Sequence, residues 1–336
     1  MTYLEQLPPD VAGLIQTRFL TEYASVSRAE VPIDTPLLVF TSADLKTLDV
    51  ATGLAYPAKA ERARRNPKVG LLLEGRPEEP VVSIAGFAAV RDADLQANLD
   101  RYLSESIAQP PLDPEIMDWN ITRRAIWYLT RIIICITPSH VRWWRNPAAM
   151  DEPAREWRTP PGTVYPVSDP APAGKSSEAP RWPQPPWQDL AKSALARNVS
   201  GHLTLLDAEG HPLPIRAREV EAHREGFRLV IPKGAPWSQG KATLSFEGRE
   251  VFVGNATNED GATLLRVERS LPVLPLTQDY TEVLEPKPGT KAALMKRLEQ
   301  ELARRGQRIP SIPPDPPHPT AGAKLRRAGV AQWQRG

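Results

Sequence analysis

A single cysteine, Cys135, stands among 336 residues, so no intrachain disulfide framework and no cysteine-based zinc site can be built. It lies within the apolar run Ile132-Ile133-Ile134-Cys135-Ile136, where a small buried side chain is the expectation rather than a nucleophile. Charge of either sign is nearly balanced, with a formal net charge of +2. No global field therefore points to nucleic acid or to an anionic membrane. No apolar stretch reaches the ~20 residues a bilayer span requires; the longest, near 125–136, is interrupted by Arg131. Residues 1–10 carry Glu5, Pro8, Pro9 and Asp10 instead of a basic and then apolar leader, and a cytoplasmic location is the expectation. Gly-x-Gly-x-x-Gly after a strand, a phosphate loop and a serine elbow are all missing. The five histidines (140, 202, 211, 223 and 318) show no pair at metal-ligand spacing.

Proline is abundant, at 37 residues, and unevenly placed. Eleven prolines fall between Pro147 and Pro186, which reads as a stiff, extended linker. A second cluster from Pro310 to Pro319, followed by Lys324, Arg326 and Arg327, reads as a disordered tail. The chain length suits two domains. The expected organisation is a first domain over 1–148, a linker over 149–186, a second domain with a C-terminal helix over 187–309 and a tail over 310–336.

Within the first domain, Val11, Leu14, Ile15 and Phe19 mark an amphipathic helix, and strands are expected near 23–27, 37–41 and 47–51. Pro57 suits the first turn of a helix over 58–65, which Asn66-Pro67 stops. Strands follow at 69–73 and 81–90, then a helix carrying Leu95, Leu99, Tyr102 and Leu103, another over about 114–127, and strands at 131–137 and 140–144. Trp143-Trp144 between Arg142 and Arg145 matches a base-stacking patch in composition, but strand alternation accounts for it.

After the linker, a helix over 187–197 leads into strands at 202–206, 212–218, 227–231, 242–246, 251–255 and 264–267, and a charged helix spans 290–304. The halves read as a degenerate repeat: each has a strand ending in Glu-Gly (Glu74-Gly75, Glu247-Gly248) and then a strand with a central glycine (Gly86, Gly254). The fold class is thus mainly β, two tandem small barrels with peripheral helices.

The segment 37–91 carries an ordered set of pieces: Leu37-Leu38-Val39-Phe40, Ala51-Thr52-Gly53, Pro57-Ala58-Lys59, Asn66-Pro67-Lys68-Val69, the strand from Gly70, and the strand from Val82 to Gly86. In order and spacing it resembles the FMN-binding split barrels around pyridoxamine 5′-phosphate oxidase. The resemblance implies a split barrel that binds FMN, with Ala51, Thr52, Ala58, Lys59 and Arg62 at the cofactor. The chemistry of the segment agrees. A helix N-terminus offers free N–H groups to a phosphate, Lys59 sits in its first turn, and Thr52 can donate a hydroxyl. Three positions depart from the oxidase pattern, with Thr35 in place of Arg, Ala58 in place of a basic residue and Val81 in place of Gln, and the oxidase's Arg-rich C-terminal segment has no counterpart. Oxidation of vitamin B6 is therefore not expected.

The second half has a loop, 234–240, where the phosphate helix would stand, so it reads as a copy that does not bind the cofactor. Three functions remain: an FMN-dependent oxidoreductase acting on a small molecule, a deazaflavin-dependent reductase of the same fold, and a non-catalytic cofactor carrier or scaffold. The expected assembly is either a homodimer or a pairing of the two barrels within one chain. In the second case Arg216, Arg218 or Trp237 would wall the site.

Overall fold

The computed structural model describes residues 2–109, 112–177, 185–259, 261–271 and 284–333. Alternation of apolar residues builds the first sheet. Its strands are β1 (Leu20–Val26), β2 (Pro32–Thr41), β3 (Leu48–Gly53), β4 (Lys68–Leu73), β5 (Val81–Arg91), β6 (Arg131–Trp144) and β7 (Arg155–Arg158). Their order is β3-β2-β1-β4-β5-β6-β7, and β3 pairs back onto β6 from Leu48↔Ile136 to Gly53↔Arg131. Six strands thus close a barrel, which removes the free edges. Val69, Leu71 and Leu73, Val82 and Ile84, and Ile132, Ile134 and Ile136 are all buried in one core, every second residue of each strand pointing inward. The region 131–144, expected as two strands, is one. Pro138 falls opposite Gly86, where the β5–β6 register shifts; a residue without an N–H is tolerated at such a bulge. Trp144 in β6 is buried, its indole donating to Glu152 O at 3.0 Å.

Helices dress this barrel. They are α1 (Pro9–Thr17), α2 (Ala58–Arg65), α3 (Leu95–Ser106), α4 (Trp119–Thr122) and α5 (Ile126–Leu129). Asp94 caps α3 by accepting from Ala97 N at 2.9 Å. The helix expected over 114–127 is instead the two single turns α4 and α5.

The second sheet contains β8 (Gly201–Leu206), β9 (Pro212–Arg216), β10 (Glu219–His223), β11 (Gly226–Val230), β12 (Gly240–Phe246), β13 (Glu250–Glu259) and β14 (Ala262–Ser270). Its order is β10-β11-β14-β13-β12-β8-β9. Among the described residues no pairing closes it, so it is a half-barrel, and α6 (Trp187–Ala196) lays Ala191 and Ala194 against its core of Phe227, Phe246 and Phe252. The run β9-β8-β12-β13-β14 repeats the order β2-β1-β4-β5-β6. In both sheets the register shifts at the central glycine, Gly86 and Gly254.

The half-barrel packs on the barrel, β9 against β4, β1 and β5, and β12 against β2. Gly70 makes this approach possible: a Cβ there would lie 1.7 Å from Pro212 O. Backbone cannot retreat as a side-chain tip can. Gly70→Ala is expected to cost about 1–3 kcal/mol of stability, read as a lower urea midpoint; an unchanged midpoint would mean that the sheets slide apart freely.

Three expectations about organisation differ from the structure. First, the C-terminal helix, α7 (Pro288–Arg305), packs Leu294, Leu298 and Leu302 into the core of the first barrel and not the second. Second, the proline-rich segment is strapped to the first barrel along its described part. There β7 pairs with β6, Tyr165 stacks on Phe87 with centroids 4.3 Å apart, and the Asp169 carboxylate accepts from the N–H groups of Asp92 and Ala93. Residues 178–184 lie outside the described part. Third, the tail expected to be disordered is docked over its described part, 310–333; residues 334–336 lie outside it. Trp119 and Arg123 donate to the carbonyls of Pro313 and Pro314, and α8 (Ala321–Trp333) buries Arg326 against Glu105. Proline carbonyls remain good acceptors, so an extended strap can be held without a ladder. Among the described residues no helix is long and apolar enough to cross a membrane.

Candidate functional site

The strand β3 delivers Ala51, Thr52 and Gly53 to the rim of the barrel, and a short turn to Pro57 starts α2. Pro57 supplies no side-chain cap, so the first N–H groups of α2 remain available. Lys59 stands in that first turn. It borders a cavity of about 400 Å³ between the barrel and the half-barrel. From the barrel come residues 33–37 of β2, Ala51, Thr52, Gly53, Tyr56, Lys59, Trp127, Tyr128 and Arg131; from the half-barrel come Glu247, Gly248, Arg249 and Val251.

No hydrogen bond or ion pair engages the Lys59 ammonium among the described residues. Burial and the guanidinium groups of Arg62 and Arg131 push it down to about 8. Such a group lacks an anion and is stabilised when one arrives. Arg131 is fixed beside it. Its guanidinium lies over the rings of Tyr128 at 4.1 Å and Tyr102 at 4.5 Å and donates to the Tyr102 hydroxyl at 3.0 Å. Four buried polar atoms in the lining residues have no partner among the described residues: Asp34 Oδ2, Thr35 Oγ1, Trp127 Nε1 and Arg131 Nε. Buried polar atoms are nearly always satisfied, so a polar ligand with both donors and acceptors matches this wall.

Of the five residues assigned from sequence, three meet here. Ala51 and Lys59 line the cavity, and so does Thr52, whose hydroxyl donates to Tyr56 O at 3.3 Å. Ala58 is exposed and outside the lining, so it has only a backbone N–H to offer. Arg62 is also outside; its Nε donates to Ser25 Oγ at 2.9 Å. The three suggested wall residues are elsewhere. Arg216 pairs with Glu74, Arg218 with Asp151, and the Trp237 indole donates to Leu213 O. The wall is instead the β12–β13 turn, where Gly248 has φ +68° and its Cβ would fall 2.5 Å from Pro36 Cδ. Only glycine lets that turn close on β2. Asp34, Trp127 and Tyr128 carried no signal in the sequence; Arg131 did, as the one charge interrupting an apolar run. Thr35 was visible only as a departure from the family pattern.

No helix forms over 231–239 in the half-barrel, and Lys241 Nζ donates to Ala29 O at 2.7 Å. Cys135 is pushed up to about 12 by burial and Asp49, which keeps it a thiol and a poor nucleophile.

A closed barrel, a short helix at its rim and an apposed half-barrel define a split-barrel architecture. No family model and no curated protein matches the chain. Solved structures similar to it include a putative pyridoxamine 5′-phosphate oxidase from Listeria innocua, at 18% identity over 43% of this chain and 99% of that one, TM-score 0.30. A pyridoxamine 5′-phosphate oxidase-related, FMN-binding protein from Nostoc punctiforme matches at 14% identity over 46% and 99%, TM-score 0.30. An F420 reductase matches at 13% identity over 42% and 100%, TM-score 0.31.

Proposed function

We propose that the chain binds one flavin mononucleotide in the cavity between its barrel and half-barrel and serves as a flavin-dependent oxidoreductase for a small molecule. The observation that carries this reading is the Lys59 ammonium, without a partner among the described residues, beside Arg131 at the open end of α2. When bound, the flavin would supply hydride and electron transfer, chemistry that no side-chain constellation here provides. The chain's own residues do the rest. Lys59 and the first N–H groups of α2 would hold the phosphate, a charge-assisted contact of the stronger kind, and Thr52 would join them by turning its hydroxyl from Tyr56 O. Thr35, Trp127 and Arg131 offer donors to ring acceptors, and the Glu247–Gly248–Arg249 turn excludes water from one side. A volume of about 400 Å³ is within the usual range for such sites.

The matching strand orders and the shared glycine bulge support reading the half-barrel as a degenerate internal copy that kept a wall and lost the phosphate helix. One chain then supplies its own barrel partner, and the stoichiometry is one flavin per chain. Titration of the purified chain with FMN, followed by flavin fluorescence, tests this. Saturation at one equivalent with a Kd of about 1 μM or tighter is the expected result. Binding of a deazaflavin coenzyme but not FMN would reassign the cofactor, and binding of neither would overturn the reading.

A further inference from the structure

Asp34 borders the same cavity from β2 and is fully buried. Its Oδ1 accepts from the Thr243 hydroxyl of β12 at 3.2 Å, and its Oδ2 has no partner among the described residues. The ladder explains its company. Ala24 lies opposite Asp34 and Glu22 opposite Pro36, so Glu22 is a diagonal neighbour on the same face of the sheet. Leu72 opposite Glu22 puts Glu74 on that face too. The half-barrel answers with His202 on β8, whose Nδ1 is 3.5 Å from Glu22 and whose Nε2 is 3.0 Å from Glu74, and with Arg216 on β9, 3.1 Å from Glu74. Glu247 adds negative charge near Glu22.

Three carboxyl groups therefore face one guanidinium and one imidazole across a buried interface. Glu74 has Arg216 and shares His202, and Glu22 has His202. Asp34 accepts from the Thr243 hydroxyl and, with no ion pair among the described residues, feels His202 only at longer range. An ionised carboxylate with no cation in direct contact is strongly disfavoured in such a place. Burial, with Glu22 adding to it and His202 pulling the other way, pushes Asp34 up to about 8; burial raises Glu22 as well.

We propose that Asp34 is a specificity-determining hydrogen-bond donor of this cavity, presenting an O–H to an acceptor atom of the bound ring, a carbonyl oxygen or a ring nitrogen, and selecting against a ring with a donor at that point. This rests on the flavin reading above. Thr243 occupies Oδ1 and so leaves the proton on Oδ2, the atom without a partner. Asn at this position keeps a donor, and Leu keeps the approximate size without one.

Infrared difference spectra between the parent and Asp34→Asn, taken without ligand, are expected to show a neutral carboxylic acid band at pH 7 that fades towards pH 9. Its absence at pH 7 overturns the proposal whatever the flavin does. Thermal melts read the same proton. The folded chain holds it more tightly than the unfolded chain, so the parent's stability falls as pH rises from ~4 to about 8. Asp34→Asn should therefore match the parent at pH 4 and exceed it at pH 8; equal melts at both overturn the proposal. For FMN at pH 7, Asp34→Asn is expected within about threefold of the parent and Asp34→Leu roughly tenfold weaker. Parental affinity in Asp34→Leu overturns the donor alone. Failure of the parent itself to bind FMN overturns the cofactor reading, and with it the ligand assigned here.

Discussion

Replacing Lys59 with alanine is expected to weaken FMN binding ten- to a hundredfold, about 1.5–3 kcal/mol for one charge-assisted phosphate contact. The same residue predicts an opposite effect on the protein without ligand. Lys59 is held near 8, below its ordinary value, by burial and by Arg62 and Arg131. The unfolded chain binds that proton more tightly than the folded one, so the buried charge opposes folding at neutral pH, and the opposition fades as pH rises through 8 towards ~10.4. Lys59→Met, which keeps an unbranched side chain of nearly the same length and drops the charge, should raise the melting temperature near pH 7 while losing FMN. Fluorescence titration and thermal melts on the same samples check both halves. An affinity within twofold of the parent would remove Lys59 from the site, and a lowered melting temperature would make it a structural residue.

Leu298→Ala is expected to cost about 2–5 kcal/mol of stability. Leu298 is fully buried on α7 in one cluster with Val11, Leu54 and Ile132, so truncation opens a cavity in the first barrel. The helix is also tied ionically. Glu301, fully buried, pairs with Arg304 at 2.7 Å and Arg305 at 2.5 Å, and Arg305 reaches Asp92 at 3.0 Å. These ties hold the helix in register, so the seat cannot simply collapse around a smaller side chain. Urea unfolding should show a lower midpoint with an unchanged slope. A cost below ~1 kcal/mol would mean that α7 rests on the barrel without completing its core.

What was legible in the sequence was local. The helix over 58–65 was bounded by Pro57 and Asn66-Pro67 and has those bounds in the structure. Most strands were visible through alternation, because one face of each meets the core. The Glu-Gly endings and the central glycines marked equivalent places in both sheets. What escaped depends on distant chain segments. Arg131 reaches Lys59 only because β6 closes on β3, and Asp34 becomes a buried carboxyl without an ion-pair partner among the described residues only when the half-barrel covers β2. Ala58 and Arg62 were assigned with Lys59 from the family resemblance, but Ala58 faces solvent and Arg62 turns to Ser25 on β1. The tail misled for a different reason. Composition reports the lack of an internal core, not the presence of Trp119 and Arg123 donors waiting on another surface.

The return of α7 to the first barrel has a consequence for synthesis. The last strand of that barrel's closed ring ends at Trp144, whereas α7 spans Pro288–Arg305, with the whole half-barrel encoded in between. On a ribosome adding ~5–20 residues per second, the nascent barrel spends about ten to thirty seconds with the seat of Leu294, Leu298 and Leu302 bare. During that interval an apolar groove beside Tyr56, the ring later covered by Arg297, is open to chaperones and to neighbouring nascent chains. A stop codon after the half-barrel would fix that groove open, so truncated products of this gene should be sticky even though every strand of both sheets has been made.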